Sequence, residues 1–146
     1  MTYLIRQLDL EKDLYDVHQL TIQLGYPSTL KNIKQRWEHL HQDSHYQTLI
    51  IEQDSHVIGY AGFIQEYTWE FDGGYLRIQA FIIDQAYRGK GIGKQLMAAI
   101  EQIAKEQGFK MIQLNSGNRE ERYPAHAFYQ GLGFDSYNIG FRKNLE

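Results

Sequence analysis

The sequence predicts an α/β fold, with one mixed sheet and helices on both faces, in a single domain over residues 1–146. Three observations predict it. Strand-like segments alternate with segments of helical period along the chain. Between residues 75 and 114 a strand, a helix and a strand follow one another directly, the signature of a right-handed crossover joining parallel strands. A chain of 146 residues, 42% of them hydrophobic, supplies one sizeable core and not two.

Thr2 to Leu8 reads as the first strand. Two helical patterns follow, with Leu14, Val17, Thr21 and Leu24 on one face of the first and Leu30, Ile33, Trp37 and Leu40 on one face of the second. Gly25 ends the first helix, and Ser28 is the expected N-cap of the second. Thr48–Glu52 and Val57–Tyr67 are β-rich and joined by a turn at Asp54-Ser55. Asp72-Gly73-Gly74 marks another reversal before the strand Tyr75–Ile83. That strand ends in the continuous apolar run Ala80-Phe81-Ile82-Ile83, which suits burial on both faces. A helix from Gly91 to Gln107 places Ile92, Leu96, Ile100 and Ile103 together, and Gly108 closes it. Phe109–Leu114 is the strand after the crossover. A short helix opened by Pro124 and ended by Gly131 and Gly133 follows, and the alternation of Tyr137, Ile139 and Phe141 predicts a last strand over 135–145.

Composition narrows the function. The chain has no cysteine, so disulfides, thiolate zinc sites and a Cys nucleophile are excluded. A net charge of −3 lends no support to nucleic-acid binding. The N-terminus enters a strand pattern directly, with no signal-like apolar stretch, and no apolar run is long enough to span a bilayer. The expectation is a cytoplasmic protein with neither nucleic acid nor membrane as partner.

The segment Tyr87-Arg88-Gly89-Lys90-Gly91-Ile92-Gly93-Lys94 lies between a buried strand and a helix. A helix start offers free N–H groups and the positive end of the dipole. Glycines let a ligand approach the backbone, and Arg88, Lys90 and Lys94 add positive charge. The combination is a diphosphate cradle. It is not the GxGxxG dinucleotide pattern, because Lys94 stands where the third glycine belongs. It is not a P-loop, because position 88 is Arg and Lys94 is followed by Gln95. The pattern that fits is Arg/Gln-x-x-Gly-x-Gly, met by Arg88, Gly91 and Gly93.

The stretch from Ile83 to Leu96 resembles the acetyl-CoA motif of the GNAT acetyltransferase superfamily. Ala125-His126-Ala127-Phe128-Tyr129-Gln130-Gly131-Leu132-Gly133-Phe134 is similar to that family's A-H-x-F-Y-x-x-x-G-F signature. The resemblance covers nearly the whole chain. It implies a mostly antiparallel mixed sheet whose central parallel pair is splayed apart. Acetyl-CoA is implied as acyl donor, bound by Arg88, Gly89, Lys90, Gly91, Ile92, Gly93 and Lys94, by the backbone of Phe81, Ile82 and Ile83, and by Asn115 and Tyr129. The implied activity is N-acetylation of a primary amine in a ternary complex, with a small cationic molecule as acceptor. Protein N-terminal or lysine acetylation and a non-catalytic acyl-CoA sensor stay open as alternatives, as does a homodimer.

Acyl transfer needs a neutral amine, donors for the oxyanion and a proton for the departing thiolate. Tyr129 is the candidate acid, since a phenol with a pKa of about 10 is protonated at neutral pH. Its position beside Ala125, Phe128 and Leu132 fits a core aromatic as well. Many relatives carry a Glu on the strand before the loop. Here Tyr75–Ala80 has no carboxylate, which leaves Glu66, Glu70 and Asp72 as candidate bases acting through water, or as plain loop charges. The family's acceptor entrance corresponds to residues 24–30 and 66–72. Tyr26, Tyr67, Trp69, Phe71 and Asp72 are the candidate acceptor contacts there. Arg122 stands where many relatives carry an Asn, and either it or Arg119 is a candidate for an acidic group of cofactor or substrate, or a surface charge. His39, His41 and His45 do not share one helical face, which favours a surface cluster over a metal site.

Overall fold

In the computed structural model, residues 2–116 and 120–145 are described, with the side chain of Glu120 left out. They fall into two compact units, Met1–Gln113 and Leu114–Glu146. The elements are β1 (Leu4–Gln7), α1 (Leu14–Leu24), α2 (Leu30–Leu40), β2 (Tyr46–Gln53), β3 (His56–Glu66), β4 (Tyr75–Ile83), α3 (Ile92–Glu106), β5 (Ile112–Leu114) and α4 (Tyr123–Gly131). The sheet runs β1-β2-β3-β4-β5. The first three pairings are antiparallel, and β4 and β5 form the one parallel pair among the described residues.

Local chemistry sets the boundaries. Gly25, with φ 107°, takes the left-handed conformation that ends α1, where a Cβ would be strained. The N-cap of α2 is Thr29 rather than the expected Ser28: its side chain accepts from the Asn32 N–H. Asp54 and Ser55 both have positive φ, 51° and 66°. A two-residue loop of that kind matches the twist of a hairpin and pairs Gln53 with His56.

One face of the sheet is covered by α1 and α2. Val17 and Leu20 of α1 and Ile33 and Trp37 of α2 join Ile50, Tyr60 and Ile82 in one buried cluster. The buried polar atoms in it are paired. Trp37 Nε1 donates to Thr48 Oγ1 at 3.1 Å, and Thr21 Oγ1 donates to the Val17 carbonyl at 2.7 Å. With that proton committed, the 2.8 Å bond between Thr21 Oγ1 and Tyr60 Oη is donated by Tyr60. Ala61, Phe63 and Leu76 alternate with this set and are also buried. The remaining long helix of the unit, α3, packs on β3 and β4 and buries Ile92, Leu96, Met97 and Ile100.

Two features of β4 differ from a plain strand. Ile78 pairs with Phe63 but Ala80 pairs with Gly62, so Gln79 is an extra residue, a β-bulge. On the other edge β5 is short and meets only the beginning of β4, with Leu76 N–H bonded to the Met111 carbonyl at 3.1 Å. Within Met1–Gln113 no described strand follows β4 on that edge along Gln79–Ile83.

In the second unit α4 begins with Pro in its first turn. The strand expected over 135–145 is absent among the described residues. Tyr137, Ile139 and Phe141 are 60%, 81% and 94% exposed. Alternation makes a strand only where a neighbour completes the hydrogen-bond ladder, and this unit offers none beyond the last residue of β5.

Candidate active site

The turn between β4 and α3 is built by backbone capping. Asp84 closes the short 3₁₀ turn Gln85–Tyr87 by accepting from the Ala86 N–H at 3.0 Å. Gln23 of α1 braces it, accepting from the Gln85 N–H at 3.0 Å. Arg88 folds back, and its Nε donates to the Ile83 carbonyl at 3.1 Å. The Lys90 ammonium lies over the Tyr87 ring, 5.3 Å from its centroid. These contacts hold the charges around a turn whose glycines have positive φ, 79° at Gly89 and 78° at Gly91. Gly93 does not need such freedom: it is the second residue of α3.

Gly91 is the N-cap of α3 and carries no side chain to cap it. The first helical bond runs from the Gln95 N–H to the Gly91 carbonyl, 3.2 Å. The N–H groups of Ile92, Gly93 and Lys94 therefore have no helical acceptor. A Cβ built on Gly89 or Gly91 meets nothing within 4 Å, so the backbone of the turn is open at these two positions. Open amides, a helix dipole and nearby cations fit a diphosphate. The Ile92 side chain is 1% exposed and belongs to the core, which restricts this residue's part to its amide. Ile82 and Ile83 are likewise buried and can offer only backbone, while Phe81 is half-buried.

Inside Met1–Gln113 a cavity of about 260 Å³ opens beside the bulge. It lies between α1, α2 and the sheet. Tyr26, Arg36, Trp37, Tyr46, Tyr60 and Gln79 are among the residues that line it. Burial pushes the Tyr60 hydroxyl above the usual tyrosine value, against the lesser opposing charge of Arg36, and keeps it protonated. Of the expected acceptor contacts, Tyr26 lines this cavity.

Tyr67, Trp69, Phe71, Asp72, Glu66 and Glu70 do not line it. Trp69 is fully exposed, Tyr67 is 68% exposed, and Phe71 stacks obliquely on Tyr75 at 6.1 Å. Glu66 is ion-paired with Arg77 at 3.1 Å and accepts from the Tyr75 hydroxyl at 2.5 Å, so its carboxylate is already engaged. Glu70 sits in an exposed turn against Thr68. No carboxylate or histidine lines the cavity among the described residues. Glu66, Glu70 and Asp72 therefore add no negative charge to the wall of this cavity.

In the second unit Tyr129 is 8% exposed, with its ring against Phe128 at 5.5 Å and Phe134 at 6.0 Å. Burial raises its hydroxyl above the usual value, against the lesser opposing charge of Arg122, so it is protonated at neutral pH. Asn115 is exposed just after β5. The neighbouring Ser116 Oγ is buried without a partner among the described residues. Arg119 lies outside the described residues. His45 pairs with Asp43 at 2.7 Å in an exposed turn. No described helix is long and apolar enough to cross a membrane.

A model of the Acetyltransferase (GNAT) family matches residues 11–134. The spermine/spermidine N(1)-acetyltransferase of Bacillus subtilis is 28% identical over 124 residues, 83% of this chain and 78% of that protein. The N-acetyltransferase family 8 member 2 of Rattus norvegicus is 33% identical over 73 residues, 48% of this chain but only 31% of that longer protein. The crystal structure of a GNAT family acetyltransferase from Staphylococcus aureus superposes with a TM-score of 0.85 at 32% identity, covering 99% of this chain and 100% of that one.

Proposed function

The chain belongs to the Acetyltransferase (GNAT) family and is an acyltransferase that takes acetyl-CoA as acyl donor, and from that premise we propose that it acetylates the primary amine of a small molecule by direct attack within a ternary complex. The observation that carries the reading is the glycine–cation turn with its uncapped α3 amides, which follows the strand whose bulge residue Gln79 lines the cavity. At about 260 Å³ the cavity is below the roughly 300–1,000 Å³ typical of sites for drug-sized ligands. That size supports a compact acceptor.

In this reading the amides of Ile92, Gly93 and Lys94 bind the pyrophosphate and Arg88, Lys90 and Lys94 neutralise it. The β4 edge left open by the short β5 pairs with the pantetheine arm, and an amide near Phe81–Ile83 donates to the oxyanion. Asn115 contributes a further polar contact to that arm. The acceptor nitrogen forms a bond to the thioester carbonyl carbon. The C–S bond then breaks, the Tyr129 hydroxyl gives its proton to the departing sulfur, and the proton lost by the amine returns to Tyr129 through solvent. Residues 1–146 act here as one transferase domain.

The test is thiol release from acetyl-CoA with a panel of small primary amines and peptides. Turnover on small amines and not on peptides is the expected result; turnover on peptides alone refutes the small-molecule assignment. Tyr129→Phe keeps the ring packing and removes the acid, so single-turnover rates should fall by about 10²–10⁴-fold with little change in CoA affinity. Near-normal rates would leave Tyr129 a core aromatic.

A further inference from the structure

From the make-up of the cavity wall we infer that the acceptor is an amine that also carries an anionic group, a carboxylate or phosphonate, which pairs with Arg36. The inference rests on the proposed acetylation of a small amine and narrows its substrate class.

Arg36 is the one charged side chain among the described residues lining the cavity. It stands on α2 between the buried Ile33 and the partly buried Leu40, next to Trp37, so the helix carries it along the rim of its buried face. The other arginines near the sheet are spoken for. Arg6 binds Asp13 and Glu52, Arg77 binds Glu66, and Arg88 binds the Ile83 carbonyl. Among the described residues Arg36 has neither an ion pair nor a hydrogen bond. It shares the cavity lining with the buried Tyr60.

An acceptor amine reaches a neutral-pH enzyme mostly as ammonium. A polycation would meet an uncompensated guanidinium at this wall, with no carboxylate in the lining to offset it. An acceptor with an anionic group brings a partner for the guanidinium and carries less net positive charge itself. The planar guanidinium fork matches a carboxylate or phosphonate in two parallel hydrogen bonds, which a lysine would not reproduce. Trp37, Tyr26 and Tyr46 supply an aromatic wall for a short apolar spacer between the two ends. Because Arg36 is exposed to solvent, the pairing should be moderate and sensitive to salt.

The experiment compares 4-aminobutyrate, 3-aminopropylphosphonate, butylamine and spermidine as acceptors, by thiol release. In the unaltered protein the anionic amines should exceed butylamine in kcat/KM by about tenfold or more, with spermidine poorest, and the preference should shrink with added salt. Arg36→Gln should bring the ratio of 4-aminobutyrate to butylamine to near one, through KM, and Arg36→Lys should restore part of it. A ratio near one before substitution, or one that Arg36→Gln leaves intact, overturns the proposal. Calorimetric titration of the same amines in the presence of CoA separates the two levels of inference. Binding of 4-aminobutyrate that Arg36→Gln abolishes, with no thiol release on any amine, upholds the anion contact and refutes amine acetylation. Turnover with spermidine preferred refutes the anion contact and leaves acetylation standing.

Discussion

Replacing Gly91 by alanine separates the needs of the fold from those of the ligand. Gly91 sits at φ 78° and ψ 9° at the start of α3, and an added Cβ meets nothing within 4 Å. The cost to folding is therefore backbone strain alone, about 1–2 kcal/mol for an L-residue in the left-handed region. For a chain of this size that lowers Tm by about 2–8 °C. The methyl group also stands beside the amides of Ile92, Gly93 and Lys94. Losing one charge-assisted hydrogen bond there, about 1.5–3 kcal/mol, weakens CoA binding by about 10- to 100-fold. Gly25 provides a matched control: it too has positive φ, 107°, with nothing within 4 Å, at the end of α1. Melting curves and calorimetric Kd values for CoA should show similar losses of Tm in Gly25→Ala and Gly91→Ala and a loss of affinity in Gly91→Ala alone. An unchanged Kd in a folded Gly91→Ala protein refutes the cradle and leaves Gly91 a turn residue.

Since no carboxylate or histidine lines the cavity among the described residues, kcat/KM should rise with pH and level at the ammonium pKa of whichever amine is offered; an inflection shared by amines of different basicity would reveal an enzymic base. Asp13, 3% exposed at its side chain, feels burial pushing its pKa up, but the Arg6 hydrogen bonds and the Asp9 amide prevail and leave it below 3.8. A carboxylate depressed on folding stabilises the protein above its unfolded pKa and loses that contribution as pH falls through the lower folded value. Urea midpoints should therefore fall in acid, and Asp13→Asn should be about 3 kcal/mol less stable at neutral pH with a flatter acid limb; parallel pH profiles would refute this.

The parts legible in the sequence are those where chemistry is local. The helical faces through Val17 and Trp37, the Asp54-Ser55 turn and the glycine–cation turn each depend on residues a few positions apart, and each stands where periodicity and turn chemistry put it. The cavity was illegible because its wall is gathered from α1, α2, β2, β3 and β4. Arg36 reads as one more exposed charge on an amphipathic helix until the sheet beneath it is known. Tyr67, Trp69 and Phe71 are exposed and stand outside that cavity, which their spacing in the sequence does not reveal. The segment 135–145 has the right alternation and lacks a neighbour to pair with in its own unit.

The extra residue at Gln79 acts on β4 as a shifted reading frame acts on a message. Before it, Leu76 and Ile78 share the sheet face of Phe63; after it, Ala80 and Ile82 share the face of Gly62 and Tyr60, although all four are even-numbered. The strand is thus written in two phases, one ending at Ile78 and the other beginning at Ala80. Any residue that tolerates solvent can occupy position 79, but the position itself cannot be deleted without transposing the two faces of everything that follows, down to the turn at Asp84. The fold of this strand therefore depends on its length as strictly as on its composition.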